Sequence, residues 1–194
     1  MGHKNDGMQQ RTHGQISRYL MNHHGEIEGI LLDNGISVRF GCEYGSAVMS
    51  ALKPGQDISV EGRANTKTSE FHGLKAHTFQ ILKSGETLRL KDLAKTQAPA
   101  EAEAHQHQHH DLSGLFQELI YNDNNDIDGL LLQDGNLVRI PPHEAKRLVT
   151  LPLVRGVTKV DASGEGSNTE FGTVVKADEL KLDSLSFLKS SKAS

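Results

Sequence analysis

The chain repeats itself with an offset of 100 residues. Gly14-Gln15-Ile16, Leu20, Asn22, Ile27-Glu28-Gly29-Ile30-Leu31-Leu32, Gly35, Val38 and Arg39 make the first copy. Gly114-Leu115-Phe116, Ile120, Asn122, Ile127-Asp128-Gly129-Leu130-Leu131-Leu132, Gly135, Val138 and Arg139 make the second. A repeat this long is a duplicated domain, because solenoid units run ~20–50 residues. Each copy spans about 70 residues, near the lower limit for a self-sufficient core.

Within each copy the pattern alternates between apolar runs and turn residues. Ile16 to Met21 is apolar-rich and is followed by a His-His-Gly turn. Ile27 to Leu32 is a second apolar run, closed by Asp33-Asn34-Gly35. Asn-Gly between two strands predicts a hairpin, since both residues tolerate positive φ. Val38-Arg39-Phe40 begins a third strand, and Asp134-Gly135 with Val138-Arg139-Ile140 repeats the arrangement. The period then changes. Ala47, Val48, Ala51 and Leu52 fit a short helix, ended by Lys53-Pro54-Gly55. In copy two, Pro141-Pro142 precedes a helical stretch, and proline suits a first helical turn. Ile58 and Val60 alternate with polar residues as a fourth strand, and Leu74 to Leu82 makes a fifth. Ala76, Phe79 and Ile81 recur as Ala177, Leu180 and Leu182, now offset by 101.

Three strands, a helix and two strands is the element order of the OB-fold, a five-stranded Greek-key barrel. The fold class read from the sequence is therefore all-β with short helices: two tandem five-stranded OB-like barrels. The segment from Gly25 to Phe40, with the Pro141-Pro142-His143 counterpart in copy two, resembles an uncharacterised bacterial group of OB-like domains. That resemblance covers roughly 140 of the 194 residues and implies a fold but no catalytic residue set. The expected divisions are a tail at 1–13, a first domain at 14–83, a histidine-containing linker at 84–113, a second domain at 114–183 and a tail at 184–194. Glu86 to Ala94 is read as a helical extension of copy one, and the tail from Ser184 as Ser/Lys-rich and frayed.

Charge is distributed unevenly. Residues 14–83 hold seven Lys/Arg and seven Asp/Glu, whereas residues 114–183 hold seven against twelve. Neither copy has the mean basic charge of a non-specific nucleic-acid binder. No apolar run approaches the ~20 residues of a membrane helix, and the first 15 residues lack the apolar core of a secretory signal. The single Cys42 excludes an intramolecular disulfide. These features predict a cytoplasmic protein with no membrane partner.

Candidate sites follow from the motifs. His105, His107, His109 and His110 form a tract whose imidazoles could take a transition metal. Fixed geometry is needed for a high-affinity site, and a polar linker that happens to carry histidines is the competing reading. Asn124, Asp126, Asp128 and Gly129 start like a calcium loop, but Gly135 stands where the bidentate Glu belongs. Arg39 and Arg139 occupy one position in both copies, on the third strand. In nucleic-acid-binding OB-folds the strand 2–3 face and adjoining loops take the ligand, through aromatic stacking and Lys/Arg pairing. Phe71 and Phe171, Lys75 and Lys176, and Tyr19 and Tyr121 near the ends of the first strands complete that ligand-binding set. The alternative is that the arginines make surface ion pairs and the phenylalanines plug the barrel ends. With nine aromatics and no Trp the stacking inventory is poor.

No Gly-rich phosphate loop, nucleophile elbow or metalloprotease helix occurs, and Cys42 and His143 lie in different copies. The expectation is a non-enzymatic binding protein without a cofactor. Single-stranded nucleic acid or another oligomer is the first ligand to test, and copy one, being neutral, should carry most of the binding. A protein-interaction or scaffold role, with a protein partner or a homodimer, is the alternative, as is metal binding through the histidine tract.

Overall fold

The computed structural model describes residues 7–66, 70–95 and 108–189. Copy one contains β1 (Met8–Met21), β2 (Ile27–Leu32), β3 (Ser37–Arg39), α1 (Gly45–Ala51), β4 (Asp57–Ala64), β5 (Gly73–Ile81) and β6 (Thr87–Arg89). Copy two contains β7 (Gln108–Tyr121), β8 (Ile127–Leu132), β9 (Leu137–Arg139), α2 (Pro142–Ala145), β10 (Lys159–Thr169), β11 (Gly172–Leu182) and β12 (Leu185–Leu188). The first sheet runs β3-β2-β1-β4-β5-β6, and a β3–β5 pairing closes its first five strands into a barrel. That closing pair is parallel, joining Val38 to Leu74. The second sheet runs β10-β7-β8-β9-β11-β12 and is closed by β10–β11, with β9 parallel to β11. Both barrels are the OB-like Greek key expected from the element order.

The described residues divide into two compact units. The first holds 7–20, 27–66, 70–95 and 121–126; the second holds 21–26, 108–120 and 127–189. Each unit thus includes a six-residue turn drawn from the other repeat.

Burial explains the strands. In β4, Ile58, Val60 and Ala64 face the barrel interior with no exposed surface, while Asp57 and Arg63 face out. This is the period-2 alternation of a half-buried strand. Phe79 fills the first barrel and meets Phe40 edge-on, with ring centroids 6.3 Å apart. Val48 of α1 is fully buried, and Leu148, at the same position in copy two, is 1% exposed. The β2–β3 turn uses Gly35 at φ 86, and the β8–β9 turn uses Gly135 at φ 94. Those positions require the left-handed region that glycine enters without strain.

Three segments differ from expectation. The stretch from Glu86 is not a helix: Thr87–Arg89 pairs with Thr78–Gln80 as β6, and a single 3₁₀ turn follows at Leu90–Asp92. Gly85 at φ 74 turns the chain back onto the edge of β5, where backbone pairing is available. Leu185–Leu188 is likewise a strand rather than tail, reached through Asp183 and Ser184, both at positive φ. Two consecutive left-handed residues make the tight turn that antiparallel hairpins favour. The first strands also begin earlier than expected. β1 starts at Met8 and β7 at Gln108, inside the stretch read as linker. Their added halves lack an apolar alternation: Thr12 is the only residue from Met8 to His13 that is buried. In copy two the expected helix shortens to four residues and continues as a 3₁₀ turn over Lys146–Thr150. Among the described residues no helix is long and apolar enough to cross a membrane.

Candidate nucleic-acid interface

The strand 2–3 face does not present the expected ligand residues. Arg39 is 5% exposed, and its guanidinium donates to Glu28 Oε1 at 3.0 Å and to the Tyr121 carbonyl at 3.0 Å. The Tyr121 amide donates to Ser37 Oγ, the Tyr121 ring stacks on His72 at 4.8 Å, and Asn125 Oδ1 accepts from the His72 and Gly73 amides. In the first unit the 121–126 turn therefore lies over the outer side of β3. Arg139 donates to Asp128 at 2.6 Å, and Asp128 is 8% exposed. The duplicated arginines are thus cross-strand structural cations. Their carboxylate partners are Glu28 and Asp128, on the neighbouring strand of each copy. The pairing also removes Asp128 from any calcium loop.

Tyr19 is a core residue, 3% exposed, and its hydroxyl donates to the Leu52 carbonyl at 2.7 Å. Phe71 and Phe171 are half-buried in the turns before β5 and β11. His105 and His107 lie outside the described residues. His109 and His110 lie on β7, opposite Glu165 and Gly164. Adjacent strand residues point to opposite faces, so these two cannot converge on one ion from the strand. Among the described residues no group of three or more His, Cys, Asp or Glu is placed to hold a metal.

Lys75 and Lys176 are exposed, and Lys75 leads to the site that the structure does assemble. In copy one, β1, β4 and β5 present an outer face. Strand register places Gln9 beside Arg63 and Arg63 beside Lys75; Arg11 lies beside Glu61, which lies beside Thr78. Arg89 of β6 faces Thr78. Arg11, Arg63, Lys75 and Arg89 are all exposed. The register shift between Glu61 and Gly62 lets His77 join this face, where its ring accepts from the Gln9 amide at 2.7 Å and contacts Thr78 Oγ1 at 2.8 Å. Arg11 pairs with Glu61 and holds that carboxyl below its usual range, chiefly by the hydrogen bond and then by charge. The face sets Arg11, Arg63, Lys75 and Arg89 against the β4 carboxylates Asp57 and Glu61, on strands about 4.8 Å apart,. Lys75 belonged to the expected set; Arg11, Arg63 and Arg89 did not. The apolar run Ile16–Met21 carries no signal for the polar first half of β1, where Arg11 lies.

Copy two carries a half-buried titratable group of its own, Glu118. Burial raises the Glu118 carboxyl above its ordinary value of 4.5, and Arg155, 3.7 Å away, opposes the shift. An acid whose folded value is raised binds its proton more tightly when folded. Its contribution to stability is present at low pH and is lost as pH rises above 4.5 through the folded value,. Glu118→Gln should therefore raise the urea midpoint at neutral pH and flatten that decline. An unchanged pH profile of unfolding contradicts this.

Neither a protein-family model nor a curated protein matches the chain. A search of solved structures finds similarity to a deletion mutant of the single-stranded DNA binding protein from Thermus aquaticus. That match has 18% identity and a TM-score of 0.26, covering 91% of this chain and 94% of the other.

Proposed function

We propose that this is a non-enzymatic, cytoplasmic binding protein whose first barrel holds a polyanion, with single-stranded nucleic acid the leading candidate. The supporting observation is the exposed outer face of β1, β4 and β5, where Arg11, Arg63 and Lys75 stand on three neighbouring strands. Cations spaced along a groove or sheet track a phosphate backbone without reading bases. The scarcity of exposed aromatics fits backbone binding with little sequence preference. Binding should be strongly salt-dependent and indifferent to base composition. Fluorescence anisotropy with labelled single-stranded DNA and RNA, at low and physiological salt, tests it. The expected result is binding of about micromolar affinity at low salt that weakens steeply as salt rises. Absence of binding even at low salt removes the reading.

One observation favours a protein-binding role for copy two. Val149, Leu151, Val154 and Val157 are 71%, 37%, 50% and 67% exposed, all in the segment between α2 and β10. Copy one has Lys53, Pro54 and Gly55 in the corresponding segment. Clustered exposed apolar residues mark interaction surfaces. If this loop docks a partner, a pull-down with the full chain should lose a specific band on Val154→Ser with Val157→Ser. An unaltered band pattern excludes the loop.

A further inference from the structure

The face that is basic in copy one recurs in copy two with its charge reversed. Strand register makes the positions equivalent: Arg11 and Arg63 lie on β1 and β4 where β7 and β10 carry Asp111 and Glu165. His77 at the bulge of β5 corresponds to Asp178 of β11. Copy two also has Asp161 and Glu179 where copy one has Ser59 and Thr78. Some positions run the other way: Lys159 stands where copy one has Asp57, Ser163 where it has Glu61 and Lys181 where it has Gln80, while Lys75 is retained as Lys176, so the second face is predominantly but not wholly anionic. Interior positions show no such reversal: Leu20, Val38 and Leu74 match Ile120, Val138 and Val175 in apolar character. The two faces are built on the same strand framework, and both are exposed.

We infer that the acidic outer face of copy two docks on the basic outer face of copy one in a second molecule of this chain. Charge complementarity identifies the occupant, because the same framework carries opposite charge and like faces repel. Every molecule carries one face of each sign, so the contact is heterologous, and its symmetry does not stop association at two molecules. The inference stands independently of nucleic-acid binding, which uses the same basic face and therefore competes with assembly.

The test is sedimentation velocity on nuclease-treated, full-length protein over a concentration series. Salt should be about 20 mM and then about 500 mM, where the screening length is only a few ångströms. The wild type should associate with rising concentration at low salt and remain monomeric at high salt. Arg11→Asp with Arg63→Glu makes both faces acidic, and Asp111→Arg with Glu165→Arg makes both basic. Each variant alone should remain monomeric at low salt, and their equimolar mixture should associate again. Should a reversed variant fail to fold by circular dichroism, Arg11→Ser with Asp111→Ser replaces it. That neutral variant should weaken association by about 2–30-fold. A wild type that is monomeric at both salts, a reversed variant that associates like wild type, or a mixture that stays monomeric overturns the inference. So does a neutral variant that associates like wild type.

Discussion

Arg39→Ala should lower the unfolding free energy by about 1–3 kcal/mol, the cost of leaving the partners of a buried polar group unsatisfied, and leave affinity for single-stranded nucleic acid unchanged. The guanidinium is 5% exposed and satisfies both the Glu28 carboxylate and the Tyr121 carbonyl. Without it, the half-buried Glu28 carboxylate and the Tyr121 carbonyl each lose a donor, and a group left unsatisfied carries a desolvation penalty,. A ligand-face arginine behaves the other way, since exposed substitutions usually stay within about 0.5 kcal/mol while affinity falls. Urea denaturation and anisotropy on the same preparation separate the two. Lost affinity with intact stability would return Arg39 to the ligand face.

Gly62→Ala and Gly164→Ala should each destabilise by about 1–3 kcal/mol, in the range of overpacked cores. A Cβ at Gly62 would land on the Lys75 carbonyl oxygen, and one at Gly164 on the Lys176 carbonyl oxygen. Both obstacles are backbone of the neighbouring strand, so no side chain can swing aside. Both glycines sit where the strand register shifts, between Glu61 and Gly62 and between Ser163 and Gly164. Bulges of this kind re-aim the chain in small barrels, and this one brings His77 onto the outer face. Gly114→Ala is the control. The atom nearest its Cβ is Leu132 Cδ1 at 3.3 Å, the far end of a flexible side chain. Chemical denaturation midpoints should drop for the two bulge variants and barely move for the control.

The barrels were legible because each copy states its strands through apolar runs and its turns through glycine. Gly35 and Gly135 mark both hairpins, and the strand-helix-strand order does the rest. The helical reading of Glu86 to Ala94 failed because a three-residue edge strand has too few residues to show a period, and its pairing partner is distant in sequence. The burial around the strand 2–3 arginines has a reason that the sequence did contain. Ile30-Leu31-Leu32 and Leu130-Leu131-Leu132 are unbroken apolar triplets, and a strand without alternation is buried on both sides. Leu31 and Leu131 are 1% and 6% exposed accordingly. The basic face was harder to see. Its cations come from β1, β4, β5 and β6, strands separated by loops, and their alignment depends on register. Only the comparison of Arg11 with Asp111, and of Arg63 with Glu165, hints that one duplicated surface diverged in charge while the core did not.

The most direct measurement is the salt dependence of single-stranded DNA affinity for the wild type and for Arg11→Ala/Arg63→Ala/Lys75→Ala, with a copy-two variant, Lys176→Ala/Lys181→Ala, alongside. If the copy-one face tracks the phosphate backbone, the triple variant should bind more weakly and its slope of log affinity against log salt should be shallower by about 2, from ~0.7 per lost phosphate contact. The copy-two variant should match wild type. An unchanged slope in the triple variant, or a loss confined to the copy-two variant, would contradict a polyanion site on the β1–β4–β5 face.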